Sequence, residues 1–353
     1  MSNATDGISH EPLEKWFLER VPELSPPLHY EVIHGGMSNL TYLVSDQEGS
    51  RWVLRRPPLG KRLASAHDMG REHRIISALA PTDVPVPGIV GLSADDSVNG
   101  APFYVMDYVD GVVARDEATA TNLTPDQRAR AGASLVEVLH RIHSVDIDAV
   151  GLGDLGRREG YLERQLKRWN GQFEQSRTQV AEGALPDLCA LHDRLALAVP
   201  PQQQDSIVHG DYRLDNCMLG PDGSVIAVLD WEICTLGDPL ADVGLLMCYW
   251  PDPGDAAALP QVSTVALPGF PRRADLLAAY AKRSSLDLSG IDYYIAFGYW
   301  KLACIIAGVY ARYAGGAMGD AGREGAEGFR TMIEGIERLA YQSLESSSLE
   351  ASS

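Results

Sequence analysis

Apolar and polar residues alternate with the two-residue period of strands through Tyr30–Ile33, Leu40–Ser45 and Arg51–Arg55, with turn-forming residues between them. The spacing becomes helical over His67–Leu79. Val84–Pro87 is extended and proline-rich, and Phe103–Tyr108 reads as another strand. Ahead of these, a polar start leads into a short helix around Pro12–Arg20, which Pro26-Pro27 ends. From about residue 124 the text is mainly helical. Thr124-Pro125-Asp126-Gln127 starts a helix, with Thr124 as cap, proline at the first position and glutamine three residues after the cap. Leu135, Val138, Leu139 and Ile142 form its apolar stripe. Tyr161–Arg177, Leu188–Leu197, Leu240–Trp250, Asp275–Arg283 and Ile291–Tyr313 are further predicted helices. The pattern predicts an α+β chain, with a small antiparallel-sheet lobe over 1–108 and a larger, mainly helical lobe over 109–345. The closing SLESSSLEASS is low-complexity, and 346–353 is expected to be a disordered tail.

One β-hairpin interrupts the helical text. Cys217–Leu219 is a short strand, Gly220-Pro221-Asp222-Gly223 is strong turn chemistry, and Val225–Leu229 is a buried strand.

Composition narrows the class. The 353 residues are 45% hydrophobic and 22% charged, which suits a globular chain with a substantial core. A net charge of −18 argues against general nucleic-acid binding, which rests on basic surface. The five cysteines (189, 217, 234, 248 and 304) contain no CxxC pair and read as reduced, with 217, 234 and 304 buried. Met1–Glu14 lacks the apolar core of a signal peptide. Ile295–Val309 is the most apolar stretch, but Lys301 interrupts it and it is shorter than a membrane span requires, so it reads as a core helix. A cytoplasmic protein without membrane or nucleic-acid partners is expected; oligomeric state is left open.

The chemistry concentrates at His209-Gly210-Asp211-Tyr212-Arg213-Leu214-Asp215-Asn216 and at Asp230. Phosphoryl transfer needs a carboxylate to take the acceptor's proton and oxygen ligands to hold Mg²⁺ on the phosphates. Asp211 fits the first role, and Asn216 and Asp230 fit the second. The hairpin should bring Asn216 and Asp230 to one edge.

HGDYRLDN followed by VLDWE resembles the aminoglycoside phosphotransferase and choline kinase group, relatives of the protein kinases. Val53–Pro58, Gly160–Gln165 and Leu229–Glu232 running on to Thr235–Pro239 are similar to the phosphotransferase domain fused to some acyl-CoA dehydrogenases. The resemblance implies a bilobal protein-kinase-like fold and transfer of the γ-phosphate of ATP to a small-molecule hydroxyl. Aminoglycosides, hydroxyacyl-CoA and other metabolites stay open as acceptors, and a non-catalytic nucleotide-binding pseudokinase is the rival.

Gly35-Gly36-Met37-Ser38-Asn39 is a phosphate loop or a plain hairpin turn; Gly36, Ser38 and Asn39 are the candidates within it. The resemblance places Arg55 where kinases carry a phosphate-holding lysine, with Arg56 as competitor and Glu72 as the helix partner. It also implies adenine binding at the Asp107 carbonyl and the Val109 N–H, with Met106 at the pocket border or in the core. His209 is expected to brace its loop, and Asp242 matches a family aspartate that does the same. Glu232 could assist a second metal.

Overall fold

The alternating segments form a five-stranded antiparallel sheet in a computed structural model that describes residues 5–33, 39–59, 68–251, 264–314 and 319–350, the side chains at both ends of the last segment excepted. The strands are β1 (His29–Val32), β2 (Leu40–Ser45), β3 (Arg51–Arg56), β4 (Ile89–Ser93) and β5 (Phe103–Asp107), in the order β1-β2-β3-β5-β4. β4 escapes a two-residue pattern because a register shift between Ile89 and Gly91 breaks its alternation. Helix α1 (His10–Leu18) packs Leu13, Trp16 and Phe17 against Tyr42, Val44, Trp52, Leu54, Phe103 and Val105 on one sheet face. Alternation sends Val53, Arg55, Tyr104 and Met106 to the other face, where Arg55 pairs with Tyr104 and Val53 with Met106. Helix α2 (Met69–Leu79) starts at Asp68, whose carboxylate accepts from the Arg71 N–H at 2.9 Å, and packs on β4 and β5.

The backbone divides into two compact units. The sheet unit holds Met1–Val112, and Ala149–Leu152 and Ile226–Glu232 return to it. The helical unit holds Val113–Asp148, Gly153–Val225 and Ile233–Ser353.

The helical unit contains α3 (Glu117–Thr121), α4 (Pro125–His143), α5 (Tyr161–Arg177), α6 (Cys189–Leu197), β6 (Ser206–Val208) and β7 (Cys217–Leu219). β8 (Val225–Val228) carries the chain back into the sheet unit, where the Val228 N–H donates to the Pro85 carbonyl at 2.8 Å. β9 (Thr235–Gly237), α7 (Leu240–Cys248), α8 (Arg273–Ala281), α9 (Ile291–Ala314) and α10 (Gly319–Glu350) complete it. α4 begins with the capping box that the sequence predicts, Thr124 and Gln127 each satisfying the other's backbone N–H. β6 and β9 pair antiparallel, so His209 leaves one strand beside the point where Thr235 enters the other.

Two readings need correction. α9 runs for 24 residues, so length alone would let it cross a membrane; its apolarity is explained by packing against α5, α7 and α10, with most of its side chains buried. α10 went unread because its start is glycine-rich, yet Ile333, Ile336 and Ala340 bury a helical stripe. It continues to Glu350, so 346–350 is helical where a disordered tail is expected; Ser, Leu and Glu there include no helix breaker. Cys217, Cys234, Cys248 and Cys304 are buried, and all five cysteines are free thiols.

Candidate functional site

In the sheet unit, Arg55 is the centre of a partly buried ionic cluster. Its Nε lies 3.6 Å from Glu72 Oε2 and its Nη2 3.5 Å from Asp230 Oδ1. Glu72, only 2% exposed, also accepts from the Tyr104 hydroxyl and from Asn39 Nδ2, each at 2.9 Å. Asn39 Nδ2 is 3.4 Å from Glu232 Oε2 as well. Burial pushes the Glu72 pKa up, and the Arg55 charge and the Tyr104 hydroxyl oppose that rise. Arg56 is not a competitor. It faces the other side of the sheet, where its guanidinium donates to the Gly7 and Asn99 carbonyls.

Asp230 has φ = +64°, in the left-handed region, and is the one non-glycine residue with positive φ among the described residues. Aspartate tolerates that region better than most residues, but at a cost of order 1 kcal/mol or more. The strain follows β8 directly and aims the carboxylate at Arg55. Met106 is buried on the Arg55 face of β5. Asp107 ends that strand, with its N–H donating to the Gly88 carbonyl at 2.8 Å. Val109 lies two residues past the strand end. Gly36 and Ser38 lie outside the described residues.

In the helical unit, the loop after β6 is braced from several sides. Asp242, buried at the start of α7, accepts from the His209 N–H at 2.6 Å and the Gly210 N–H at 2.8 Å. Burial works to raise the Asp242 pKa. The hydrogen bond and charge of His143 and the Gly210 amide more than offset it, so the carboxyl is held below the usual carboxylate range. His209 is fully buried, and its Nδ1 accepts from the Asp211 N–H at 3.3 Å. Asp211 itself is partly exposed. Asn216 Nδ2 donates to the Asp211 carbonyl at 2.8 Å and to its Oδ2 at 3.0 Å. With its nitrogen so engaged, Asn216 has its carbonyl oxygen for a cation. Arg213 lies between Asp211 Oδ1 (3.4 Å) and Asp215 Oδ1 (3.0 Å), its guanidinium 4.8 Å above the Tyr249 ring. Burial raises the Asp215 pKa, against the Arg213 charge.

The candidates thus gather into two groups, Asn39, Arg55, Glu72 and Asp230 in one unit, and Asp211 and Asn216 in the other. Two members escaped the sequence reading. Tyr104 was visible as the cross-strand neighbour of Arg55. Lys301 was visible only as a charge interrupting an apolar helix; its Nζ donates to the Gly210 carbonyl at 2.8 Å.

The sequence profile of the phosphotransferase enzyme family matches residues 29–276, a span that includes both groups. The chain belongs to the phosphotransferase enzyme family. A putative aminoglycoside phosphotransferase from Ralstonia eutropha JMP134 superimposes with a TM-score of 0.77 at 32% identity, covering 94% of this chain and 98% of that one. Choline kinase from Cryptosporidium parvum Iowa II superimposes with a TM-score of 0.61 at 13% identity over 95% of each chain, which shows the shared kinase-like fold. In sequence, the chain is 34% identical over 342 residues to mouse acyl-CoA dehydrogenase family member 10, covering 96% of this chain and 31% of that protein. It is 32% identical over 328 residues to chicken acyl-CoA dehydrogenase family member 11, covering 88% of this chain and 40% of that protein. The chain therefore spans between three and four tenths of these curated relatives.

Proposed function

We propose that this phosphotransferase moves the γ-phosphate of ATP to a hydroxyl of a small molecule. The observation that carries the reading is Arg55 held between Glu72 and Asp230. A cation on the third strand, fixed by a helix glutamate, is what phosphate positioning in this fold requires. Arginine keeps its charge at every working pH and can hold phosphate through two nitrogens. The non-catalytic alternative draws its support from arginine standing in the lysine position; the ion pair with Glu72, which keeps that cation fixed, favours the enzyme reading.

Asp230 in the sheet unit is a hard oxygen donor suited to Mg²⁺, and so, in the helical unit, is the Asn216 carbonyl oxygen; Mg²⁺ needs only one or two protein ligands beside phosphates and water. Bound Mg²⁺ would neutralise charge on the phosphates. Asp211 would orient the acceptor hydroxyl and take its proton late in the transfer. The Asn216 amide would hold the Asp211 carboxylate in place, and Arg55 would fix the phosphates.

For the acceptor, we favour a metabolite hydroxyl, such as a hydroxyacyl thioester, over an aminoglycoside. Beside Asp211, a cavity of the helical unit is lined by Arg115, Arg213, Tyr249 and Trp250, with Asp215. Its two guanidinium groups are offset by Asp211 and Asp215, which removes the dense uncompensated carboxylate cluster that a polycation would need. Sequence likeness to acyl-CoA dehydrogenase family members points the same way. The test is product analysis by mass spectrometry after incubation with MgATP and a panel of aminoglycosides, choline-like amines, sugars and hydroxyacyl-CoA thioesters. Phosphorylated thioester as the main product is expected. Phosphorylated aminoglycoside would overturn the acceptor assignment, and ATP bound without any product would revive the non-catalytic reading.

A further inference from the structure

The Gly210–Asp211 peptide determines where the Asp211 side chain leaves the backbone. Gly210 has φ = +85°, a conformation that glycine alone adopts cheaply, so this peptide is not held by the local preferences of the chain. It is held from outside at both ends. Its N–H, belonging to Asp211, donates to His209 Nδ1 at 3.3 Å, and its carbonyl, belonging to Gly210, accepts from Lys301 Nζ at 2.8 Å. One peptide earlier, the Gly210 N–H is fixed by Asp242.

Lys301 is an expensive way to satisfy one carbonyl. It lies midway along α9, 6% exposed, in a long apolar helix whose side chains are mostly buried. A buried ammonium is stable only with partners. Burial pulls the Lys301 pKa down, while the Asp211 and Asp242 carboxylates push it back up. The Trp169 ring, 5.7 Å from Nζ, adds its face. A neutral donor would satisfy the carbonyl without the desolvation cost.

We propose that Lys301 is a positioning residue for phosphoryl transfer, locking the Gly210–Asp211 peptide so that the Asp211 carboxylate meets the acceptor hydroxyl. The inference rests on Asp211 acting as proposed above. Lys301 does not reach substrate; it acts through the loop.

The test compares Lys301→Met, which keeps the apolar stem and loses the donor, with Lys301→Arg, which keeps both donor and charge. The readouts are steady-state ATP turnover, with water as acceptor if no better one is known, and hydrogen exchange of the peptide covering residues 206–216. Lys301→Met should lower kcat by about 10- to 100-fold, as a displaced catalytic group does, with KM for MgATP unchanged. Exchange should rise at 206–216 and stay unchanged in α4 and α5 of the same unit, which shows that its fold survives. Lys301→Arg should recover most of the turnover and the protection. Unchanged kcat in Lys301→Met overturns the proposal, as does a parallel loss of protection throughout the chain that Lys301→Arg does not recover, which marks a merely structural role. No turnover by the unmutated protein overturns instead the function on which the proposal rests, and its positioning role with it.

Discussion

Single residues carry the strongest consequences. Buried Glu72 holds together three partners, Arg55, the Tyr104 hydroxyl and the Asn39 amide. Glu72→Ala leaves Arg55 paired with Asp230 but orphans the Tyr104 hydroxyl and takes an acceptor from the Asn39 amide, and should destabilise the protein by about 1–3 kcal/mol, read from denaturant unfolding. Arg55→Lys should keep nucleotide binding, whereas Arg55→Met should lose it, as titration with MgATP would show. Asp230→Asn keeps a side chain that tolerates positive φ and removes the charge. Its melting temperature should stay near that of the unmutated protein while Mg²⁺-dependent turnover disappears. Retained turnover would remove Asp230 from the metal site.

Asp242 gives a pH dependence of defined sign. Its folded pKa lies below the ordinary 3.8, so its contribution to stability is present above that value and is lost as pH falls through the folded one. Asp242→Asn should therefore be less stable than the unmutated protein at neutral pH, and the gap should narrow as pH falls below 3.8. A gap that stays constant in acid would show that the ionised carboxylate is not what holds the loop.

At the scale of elements, β2, β3, α4, α5 and α9 were legible because their periods and caps are strong. β4 and α10 were not, since a bulge broke the alternation of one and glycines diluted the start of the other. The site followed the same rule. Strand alternation assigned Arg55 and Arg56 to opposite faces, but nothing local said which face holds the site; the packing of α1 decides it. Close helix contact was also invisible. A Cβ on Gly244 of α7 would come within 2.5 Å of the Tyr294 backbone in α9. Gly244→Ala should cost about 1–3 kcal/mol through overpacking, despite the better helix propensity of alanine, and thermal melts would show it. A neutral or higher melting temperature would mean that the two helices can separate cheaply at this point.

At the scale of the whole molecule, the sequence announced a small sheet followed by helices, and the two units match that order. The return of 226–232 to the sheet unit, which sets Asp230 beside Arg55, is a long-range event with no periodic signature. Motif spacing pointed to the residues; only the fold shows which of them share a unit. The net charge of −18 says little about the acceptor, because the groups near Asp211 include Arg213.

The most direct test of the central claim is Asp211→Asn, with ATP turnover and MgATP binding measured on the same preparation. Loss of turnover by about 100- to 10,000-fold with binding retained is the expected result, since general base groups contribute on that scale. Turnover equal to that of the unmutated protein would contradict it.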